Sequence, residues 1–213
     1  MVVFLSYAPE IGLPEVIYLL EFVGIMAFAI SGMLEAQNRD MDPVGVFAIA
    51  CITAFGGGTL RDVILNHEPV YWIERQEFPL FILLLTIGFS YIPKLRAIPA
   101  HAIIIPDAIG LGIFTVLATQ LALALGTPVF SALLLGVISG TFGGMARDII
   151  CNETPFIFRK EHLYASSSMA GGVTYWALTA FGLQESMGLF AGVAVVVATR
   201  LWSVHFDIRL QRH

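Results

Sequence analysis

Two short stretches of this sequence place an arginine beside an aspartate in strongly apolar surroundings. The first is FGGGTLRDVILNHEP, residues 55–69, and the second is FGGMARDIICNETP, residues 142–155. A charge near the centre of a bilayer costs roughly 2.5–3.5 kcal/mol, so it is rarely kept without a use. Two such pairs at related positions predict a polar pathway through the protein.

The glycines that precede each charged pair predict irregular helices. Glycine weakens a helix, so these runs are expected to kink or unwind it and expose carbonyl oxygens along a cavity. Residues i and i+1 of a regular helix point about 100° apart, so Arg61 and Asp62 are not expected to pair with each other. The candidate pathway residues are Arg61, Asp62, Arg147, Asp148, Glu21, Asp107, Thr53 and Ser139. The candidate kink glycines are Gly56, Gly57, Gly58, Gly143 and Gly144.

A purely structural role is the alternative for these residues. Glycine pairs often form close-packing surfaces between membrane helices, and the arginines could lock helices together by binding carboxylates. The charge balance favours the pathway. The six candidate charges are four carboxylates and two guanidiniums, a net charge of −2, which suits a cation better than an anion.

The composition predicts an integral membrane protein. Of the 213 residues 57% are hydrophobic and only 13% are charged, with a mean hydropathy of +0.82, which leaves too little polar surface for a soluble domain. The apolar runs approach the ~20 residues that cross a bilayer and lack the alternation of a β-barrel, so they are predicted to be helices. The predicted spans are 13–35, 43–65, 77–95, 101–124, 128–150, 162–182 and 186–206.

The basic residues predict the orientation of these seven spans. With the N-terminus outside and the C-terminus in the cytoplasm, nine Lys and Arg residues lie inside and two outside, as the positive-inside rule requires. The outer two are Arg61 and Arg75. The inner nine are Arg39, Lys94, Arg96, Arg147, Arg159, Lys160, Arg200, Arg209 and Arg212. Six of these, Lys94, Arg96, Arg159, Lys160, Arg209 and Arg212, are also a candidate site for anionic lipid.

The two motifs belong to an internal duplication. A shift of 86 residues aligns 57–69 with 143–155 without gaps and gives seven identities in thirteen positions. The same shift carries Glu21 to Asp107 and Thr53 to Ser139. We therefore predict one transmembrane domain made of a first repeat, 13–97, a second repeat, 100–182, and an added helix, 186–206.

Three helices per repeat is an odd number, so the second repeat enters the membrane from the opposite side. The predicted fold is an all-α integral membrane protein in which two inverted three-helix units are followed by a seventh helix. Proteins of this architecture bind their substrates or ions at the interface between the repeats, near the middle of the membrane.

The paired motifs GGTLRD and GGMARD, seven spans and a duplicated three-helix unit resemble the prokaryotic branch of the trimeric intracellular cation (TRIC) channel family. The resemblance covers essentially the whole chain. It implies a homotrimer in the plasma membrane, with a pore in each subunit lined by the kinked second and fifth helices. It also implies monovalent cations as the transported species, with potassium preferred and sodium as a second ion. No cofactor, nucleic-acid partner or metal beyond transient potassium is expected.

Two other classes of function are alternatives to a channel. A secondary transporter of a small substrate suits inverted repeats equally well, and prokaryotic members of this superfamily have been labelled as glycine transporters. An intramembrane enzyme would need a nucleophile and base or a metal-ligand set. His67 and His101 stand apart from any such motif in the sequence, so an enzyme is not expected.

Overall fold

The computed structural model describes residues 13–91, 100–159 and 163–206, which form helices and their connections. Within these ranges there are seven α-helices. They are α1 (Leu13–Asn38), α2 (Pro43–Ile64), α3 (Glu77–Tyr91), α4 (Ile104–Ala124), α5 (Val129–Ile150), α6 (Ala165–Ala180) and α7 (Glu185–His205). Short 3-10 turns precede α4 at Ala100–Ile103 and follow α5 at Phe156–Phe158.

The helices agree with the predicted all-α membrane fold. Within the described residues, α1, α2, α4, α5 and α7 are long and apolar enough to span a membrane by length and composition. The helices α3 and α6 contain 15 and 16 residues, fewer than the predicted spans 77–95 and 162–182. Residues 92–95 and 162 of those spans lie outside the described ranges.

Most of the predicted basic surface also falls outside the described ranges. Arg159 is described, and its guanidinium donates to the Thr154 carbonyl at 2.6 Å and to Glu153 at 3.1 Å. The remaining candidates for contact with anionic lipid, Lys94, Arg96, Lys160, Arg209 and Arg212, lie outside the part of the chain that the structure describes.

The two repeats meet at a pair of equivalent phenylalanines. Phe28 of α1 and Phe114 of α4 are related by the 86-residue shift, and their rings stack with centroids 5.5 Å apart and planes 9° apart. Both are fully buried. Gly24 and Gly110, also equivalent, give these rings room, because a side chain on Gly110 would collide with Phe28 and one on Gly24 would press against Phe114. The stack therefore lies at the pseudo-two-fold axis between the repeats.

The third helix of each repeat packs against the other two helices of that repeat. The first repeat packs α3 against α1 and α2, and the second packs α6 against α4 and α5. Phe78 of α3 is buried against the α1 rings of Tyr18 and Phe22. The added helix α7 packs mainly against α4 and α6 of the second repeat and makes a smaller contact with α1.

The asparagine of each motif explains how α2 and α5 end. Asn66 and Asn152 adopt positive φ angles of 50° and 57°, the left-handed conformation that asparagine tolerates better than most residues. The following N–H groups, of His67 and Glu153, donate to the carbonyls of Asp62 and Asp148, both at 2.8 Å. This is the Schellman arrangement, which satisfies the last carbonyls of a helix. Both repeats thus turn back at the same point beside the charged pair.

The glycine runs lie inside continuous helices, so the prediction that they unwind is wrong. Both α2 and α5 are helical throughout their glycine motifs. The glycines instead let the two helices cross closely. A side chain on Gly57 would collide with the Ser139 carbonyl, and one on Gly143 would collide with the Thr53 carbonyl.

This crossing is antiparallel and symmetric. Gly57 faces Ser139 while Gly143 faces Thr53, and the shift of 86 residues exchanges the two contacts. The Ser139 hydroxyl donates to the Gly57 carbonyl at 3.0 Å, which ties the two helices together. These contacts therefore agree with the structural alternative, in which the glycines allow close packing between membrane helices.

The crossing predicts different effects for neighbouring glycines. Gly57→Ala and Gly143→Ala should each lower the free energy of unfolding by about 1–3 kcal/mol, because the added methyl meets a backbone carbonyl that cannot rotate away. Gly56→Ala is the matched control, since its Cβ would lie 3.5 Å from the Phe142 ring, an ordinary contact. Thermal unfolding in detergent measures all three. Equal stability of the Gly56 and Gly57 variants would contradict a tight crossing.

Candidate functional site

The two residues of the first charged pair, at the end of α2, form a salt bridge with each other. The Arg61 Nε and Nη2 atoms both lie 2.7 Å from Asp62 Oδ1. The other oxygen, Asp62 Oδ2, accepts the backbone N–H of Tyr71 at 3.0 Å from the loop after α2. The Arg61 guanidinium lies over the Tyr71 ring, 5.3 Å from its centroid. The pair is buried, so the aspartate balances the arginine and also anchors the loop.

The second charged pair repeats this arrangement at the end of α5. Arg147 Nε donates to Asp148 Oδ1 at 2.8 Å, and Asp148 Oδ2 accepts the N–H of Phe156 at 3.1 Å. The guanidinium lies 5.4 Å from the centroid of the Phe156 ring. An aromatic residue in the loop thus covers each arginine, as cation–π attraction favours in a desolvated site.

The prediction that neighbouring arginine and aspartate side chains could not pair is wrong. The directions of the two Cβ atoms do differ on a helix, as the prediction assumed. The arginine side chain is long enough to curve back, however, and its guanidinium reaches the carboxylate of the next residue in both motifs.

The carboxylates of the first helix in each repeat are bound by different arginines. Glu21 of α1 forms a salt bridge with Arg75 from the α2–α3 loop. Its equivalent, Asp107 of α4, accepts from Arg147 at 2.8 Å. Arg147 also hydrogen-bonds the Ser31 hydroxyl of α1, and this contact crosses from the second repeat to the first. Both carboxylates are therefore partners of arginines, as the structural alternative predicts.

The two candidate hydroxyl residues lie buried at the α2–α5 crossing. The Thr53 hydroxyl donates to the Ile49 carbonyl of its own helix at 2.7 Å. Ser139 donates across to the Gly57 carbonyl, so the symmetry of the sequence is not repeated in these two hydrogen bonds. Gly56 lies on the outer side of the crossing, in an apolar groove that Phe142 and Trp72 also line.

Gly58 and Gly144, the last motif glycines, make room for tyrosines. A side chain on Gly58 would collide with the Tyr71 ring. A Cβ on Gly144 would lie 2.8 Å from the Tyr164 hydroxyl and 3.2 Å from Asp107 Oδ1. Burial raises the pKa of the Tyr71 hydroxyl well above its usual range, so Tyr71 stays protonated and donates to the Ala54 carbonyl at 3.3 Å.

Sequence reasoning missed that two further arginines belong to these polar clusters. Arg75 and Arg200 were counted only as topology signals, yet Arg75 binds Glu21 and Arg200 is a buried residue of α7. With both included, the site comprises four arginines and four carboxylates, and the net charge of −2 counted for six of these groups becomes zero. A signal existed for Arg200, because it stands in the last two turns of an apolar span.

The arrangement is therefore two balanced polar clusters on opposite sides of one helix crossing. The charged pairs follow the crossing glycines on two antiparallel helices, so one cluster lies toward each end of the crossing. Carboxylate and hydroxyl oxygens in such clusters can bind a cation, and the guanidiniums hold those oxygens in place.

A family model described as "Glycine transporter" matches residues 18–93 and 104–180. The two matched segments begin 86 residues apart, which is the shift that relates the repeats.

Several relatives and solved structures cover nearly the whole chain. A UPF0126 membrane protein of Vibrio cholerae is 34% identical over 92% of this chain and 82% of its own length. The UPF0126 inner membrane protein YadS of Escherichia coli K12 is 32% identical over 91% of this chain and 94% of its own length.

Among solved structures, the TRIC trimeric intracellular cation channel orthologue from Rhodobacter sphaeroides is 32% identical, with a TM-score of 0.83 over 91% of this chain and 99% of that one. A prokaryotic TRIC channel in 0.5 M KCl is 30% identical, with a TM-score of 0.84 over 93% of this chain and all of the other. The paired motifs, the inverted repeats and these matches together lead to one assignment: the chain belongs to the family of membrane proteins that includes the UPF0126 proteins and the prokaryotic TRIC channels.

Proposed function

We propose that this protein is a channel for monovalent cations, with potassium preferred, and that the ion pathway lies within each subunit. The observation that carries the proposal is the pair of equivalent arginine–aspartate clusters on either side of the α2–α5 crossing. The proposed pathway runs between the repeats 13–97 and 100–182, and the added helix 186–206 flanks the second. We infer no enzymatic activity and no cofactor.

The energetic cost of these clusters supports a transport role. Replacing a buried ion pair by apolar residues of similar volume is often neutral or stabilising, so stability alone gives little reason to keep one. This chain keeps such a pair in both repeats, beside further carboxylates on α1 and α4. A path for a hydrated cation does require polar groups at membrane depth.

The α2–α5 crossing is the proposed gate of this pathway. The two helices touch there through glycine and carbonyl groups, with only the Ser139 hydroxyl bonded across. Because the two glycines contact backbone carbonyls at this point, a small separation of the helices would connect the two polar clusters. Thr53 and Ser139 would then present their hydroxyls to a passing ion.

The solved relatives support the ion and the assembly. One of them is a trimeric intracellular cation channel orthologue, and another was studied for conductance through TRIC cation channels. We infer that this chain also forms a homotrimer in which every subunit carries its own pathway. Potassium, with sodium as a second ion, is the proposed cargo.

A transporter of a small substrate such as glycine is the second candidate. The description of the matching family model favours it, and inverted repeats also suit alternating access. The two candidates differ in rate and cargo. Purified protein in liposomes should pass potassium current far above transporter turnover and should not accumulate labelled glycine, whereas a transporter would do the reverse.

The proposed location is the plasma membrane, with the N-terminus outside and the C-terminus in the cytoplasm. One relative is an inner membrane protein of Escherichia coli. Nine Lys and Arg residues against two favour this orientation. Anionic lipid at the inner face remains a prediction, because most of the basic residues concerned are not described.

The orientation can be tested with reporters fused to the C-terminus. Alkaline phosphatase should be inactive there and green fluorescent protein should fluoresce, because the first folds only outside the cytoplasm and the second inside it. The same reporters fused after Gly126, in the α4–α5 connection, should give the opposite pattern. Phosphatase activity at the C-terminus would reverse the orientation of both repeats.

The cation preference can be tested at the motif aspartates. Asp62→Asn and Asp148→Asn keep the shape of the side chain but remove a negative charge beside the proposed pathway. Each should shift the reversal potential in a potassium chloride gradient toward zero, because chloride is then excluded less well. Glu153→Gln removes an exposed carboxylate and serves as the control. Unchanged selectivity in both aspartate variants would make these carboxylates purely structural.

The two motif arginines should differ in their contribution to stability. Arg147 binds two carboxylates and Ser31, so Arg147→Ala should lower the free energy of unfolding by roughly 3–5 kcal/mol, the cost of leaving buried partners uncompensated. Arg61→Ala should cost less, since Arg61 binds Asp62 alone among the described carboxylates.

Arg39→Ala is the surface control for this comparison, because an exposed ion pair contributes only about 0–1 kcal/mol. Denaturant unfolding of the three variants measures the order. A larger loss at Arg61 than at Arg147 would contradict the asymmetry between the repeats.

A further inference from the structure

Arg200 is a buried arginine that forms no salt bridge with the described part of the chain. Its side chain lies in the penultimate turn of α7, and the residue is 2% exposed. Its Nε and Nη1 atoms have no hydrogen-bond partner among the described residues, and it forms no ion pair with them. A buried guanidinium without a carboxylate is strongly unfavourable, so this position requires an explanation.

The groups around Arg200 also have unused hydrogen-bonding capacity. Its guanidinium lies over the Tyr164 ring, 4.9 Å from the centroid, and 5.4 Å from the centroid of Phe156. The Tyr164 hydroxyl and Asp107 Oδ1 both converge on the space beside Gly144. Tyr164 Oη and Asp107 Oδ2 are buried without a partner among the described residues. An unused cationic donor and an unused carboxylate oxygen thus belong to one cluster.

The first repeat contains the paired form of the same arrangement. The Arg75 guanidinium lies over the Phe78 ring, 5.7 Å from its centroid, and binds Glu21. The 86-residue shift carries Phe78 to Tyr164 and Glu21 to Asp107. Arg200 therefore occupies the place in the second repeat that Arg75 occupies in the first, although it comes from the added helix rather than from a loop.

The charge balance agrees with this equivalence. The first repeat contributes Arg61 and Arg75 against Glu21 and Asp62, and these four groups are neutral together. In the second repeat Arg147 alone faces Asp107 and Asp148. Among the described residues, the addition of Arg200 makes that cluster neutral as well.

We propose that Arg200 is a latch for the second half of the ion pathway, which closes by binding the free Oδ2 atom of Asp107 as Arg75 binds Glu21 in the first half. The latch rests on the proposed channel function. In the closed form Asp107 is held between Arg147 and Arg200 and has no oxygen free for a cation. In the structure, the Arg200 guanidinium lies over the Tyr164 and Phe156 rings, and Asp107 Oδ2 has no hydrogen-bond partner among the described residues. Arg200 is thus a positioning residue, because it acts on the ion through Asp107.

The test is a double-mutant cycle on Arg200→Gln and Asp107→Asn in the purified full chain. The two readouts are potassium flux into liposomes and the melting temperature in detergent. Arg200→Gln should raise potassium flux several-fold, because Asp107 can no longer be covered. In the Asp107→Asn background the same change should have no further effect on flux. The two substitutions should also be coupled in melting temperature, the double variant losing less than the two single variants together.

Three further variants separate a latch from a packing role. Arg200→Lys keeps the charge and should retain flux near that of the wild type. Arg200→Met keeps apolar contact with the two rings and should behave like Arg200→Gln, which separates loss of charge from loss of packing. Arg159→Gln is the matched control, because Arg159 also lies over the Phe156 ring, at 4.6 Å, but pairs with the exposed Glu153. It should leave flux unchanged.

The outcomes distinguish the latch from the channel function. If the wild type passes potassium and the effects of Arg200→Gln and Asp107→Asn are additive in both readouts, the latch is wrong and the channel function stands. If the wild type passes no cation but the pair is coupled in melting temperature, the ion pair stands and the channel function is wrong. An Arg200→Lys variant with the flux of Arg200→Gln would also overturn the latch.

Discussion

A guanidinium enclosed among membrane helices must find its counter-charge within the protein, and this requirement organises both halves of the molecule. The aspartate that follows each motif arginine supplies the charge through one oxygen. Its second oxygen binds the backbone of the next loop, and that loop brings an aromatic ring over the guanidinium. Neutralising the arginine, ending the helix and folding the loop are therefore parts of a single local structure. A change to the aspartate would disturb all three.

The fold followed from the sequence because its signals are strong and redundant. Hydropathy located the helices. The gapless shift of 86 residues located the repeats, because two glycines, two charged residues and an asparagine rarely recur at identical spacing without a duplication. The turn asparagine was part of that match. The structural reason for this asparagine appears only in the structure, because a repeated spacing alone does not reveal a left-handed backbone angle.

The details of the site were harder to predict, for reasons that differ between residues. The pairing of Arg61 with Asp62 depends on a side-chain conformation, and helix geometry fixes only where the Cβ atoms point. The glycines could either loosen a helix or let a neighbour approach, and the Ser139 and Thr53 carbonyls that decide between these come from distant parts of the chain. Arg200 lies on the added helix, and the 86-residue shift relates it to no arginine, so the duplication could not draw attention to it.

The stacked pair of Phe28 and Phe114 has a consequence for the history of the chain. A residue on a two-fold axis meets its own equivalent, so in an ancestral three-helix protein this contact would have joined two identical copies inserted in opposite directions. Any mutation there would have changed both sides of the contact at once. In the duplicated chain the two phenylalanines occupy separate positions, so a mutation changes one side of the contact only. Each half then became free to acquire its own features, and Ser31, with leucine at the equivalent position 117, is one visible result.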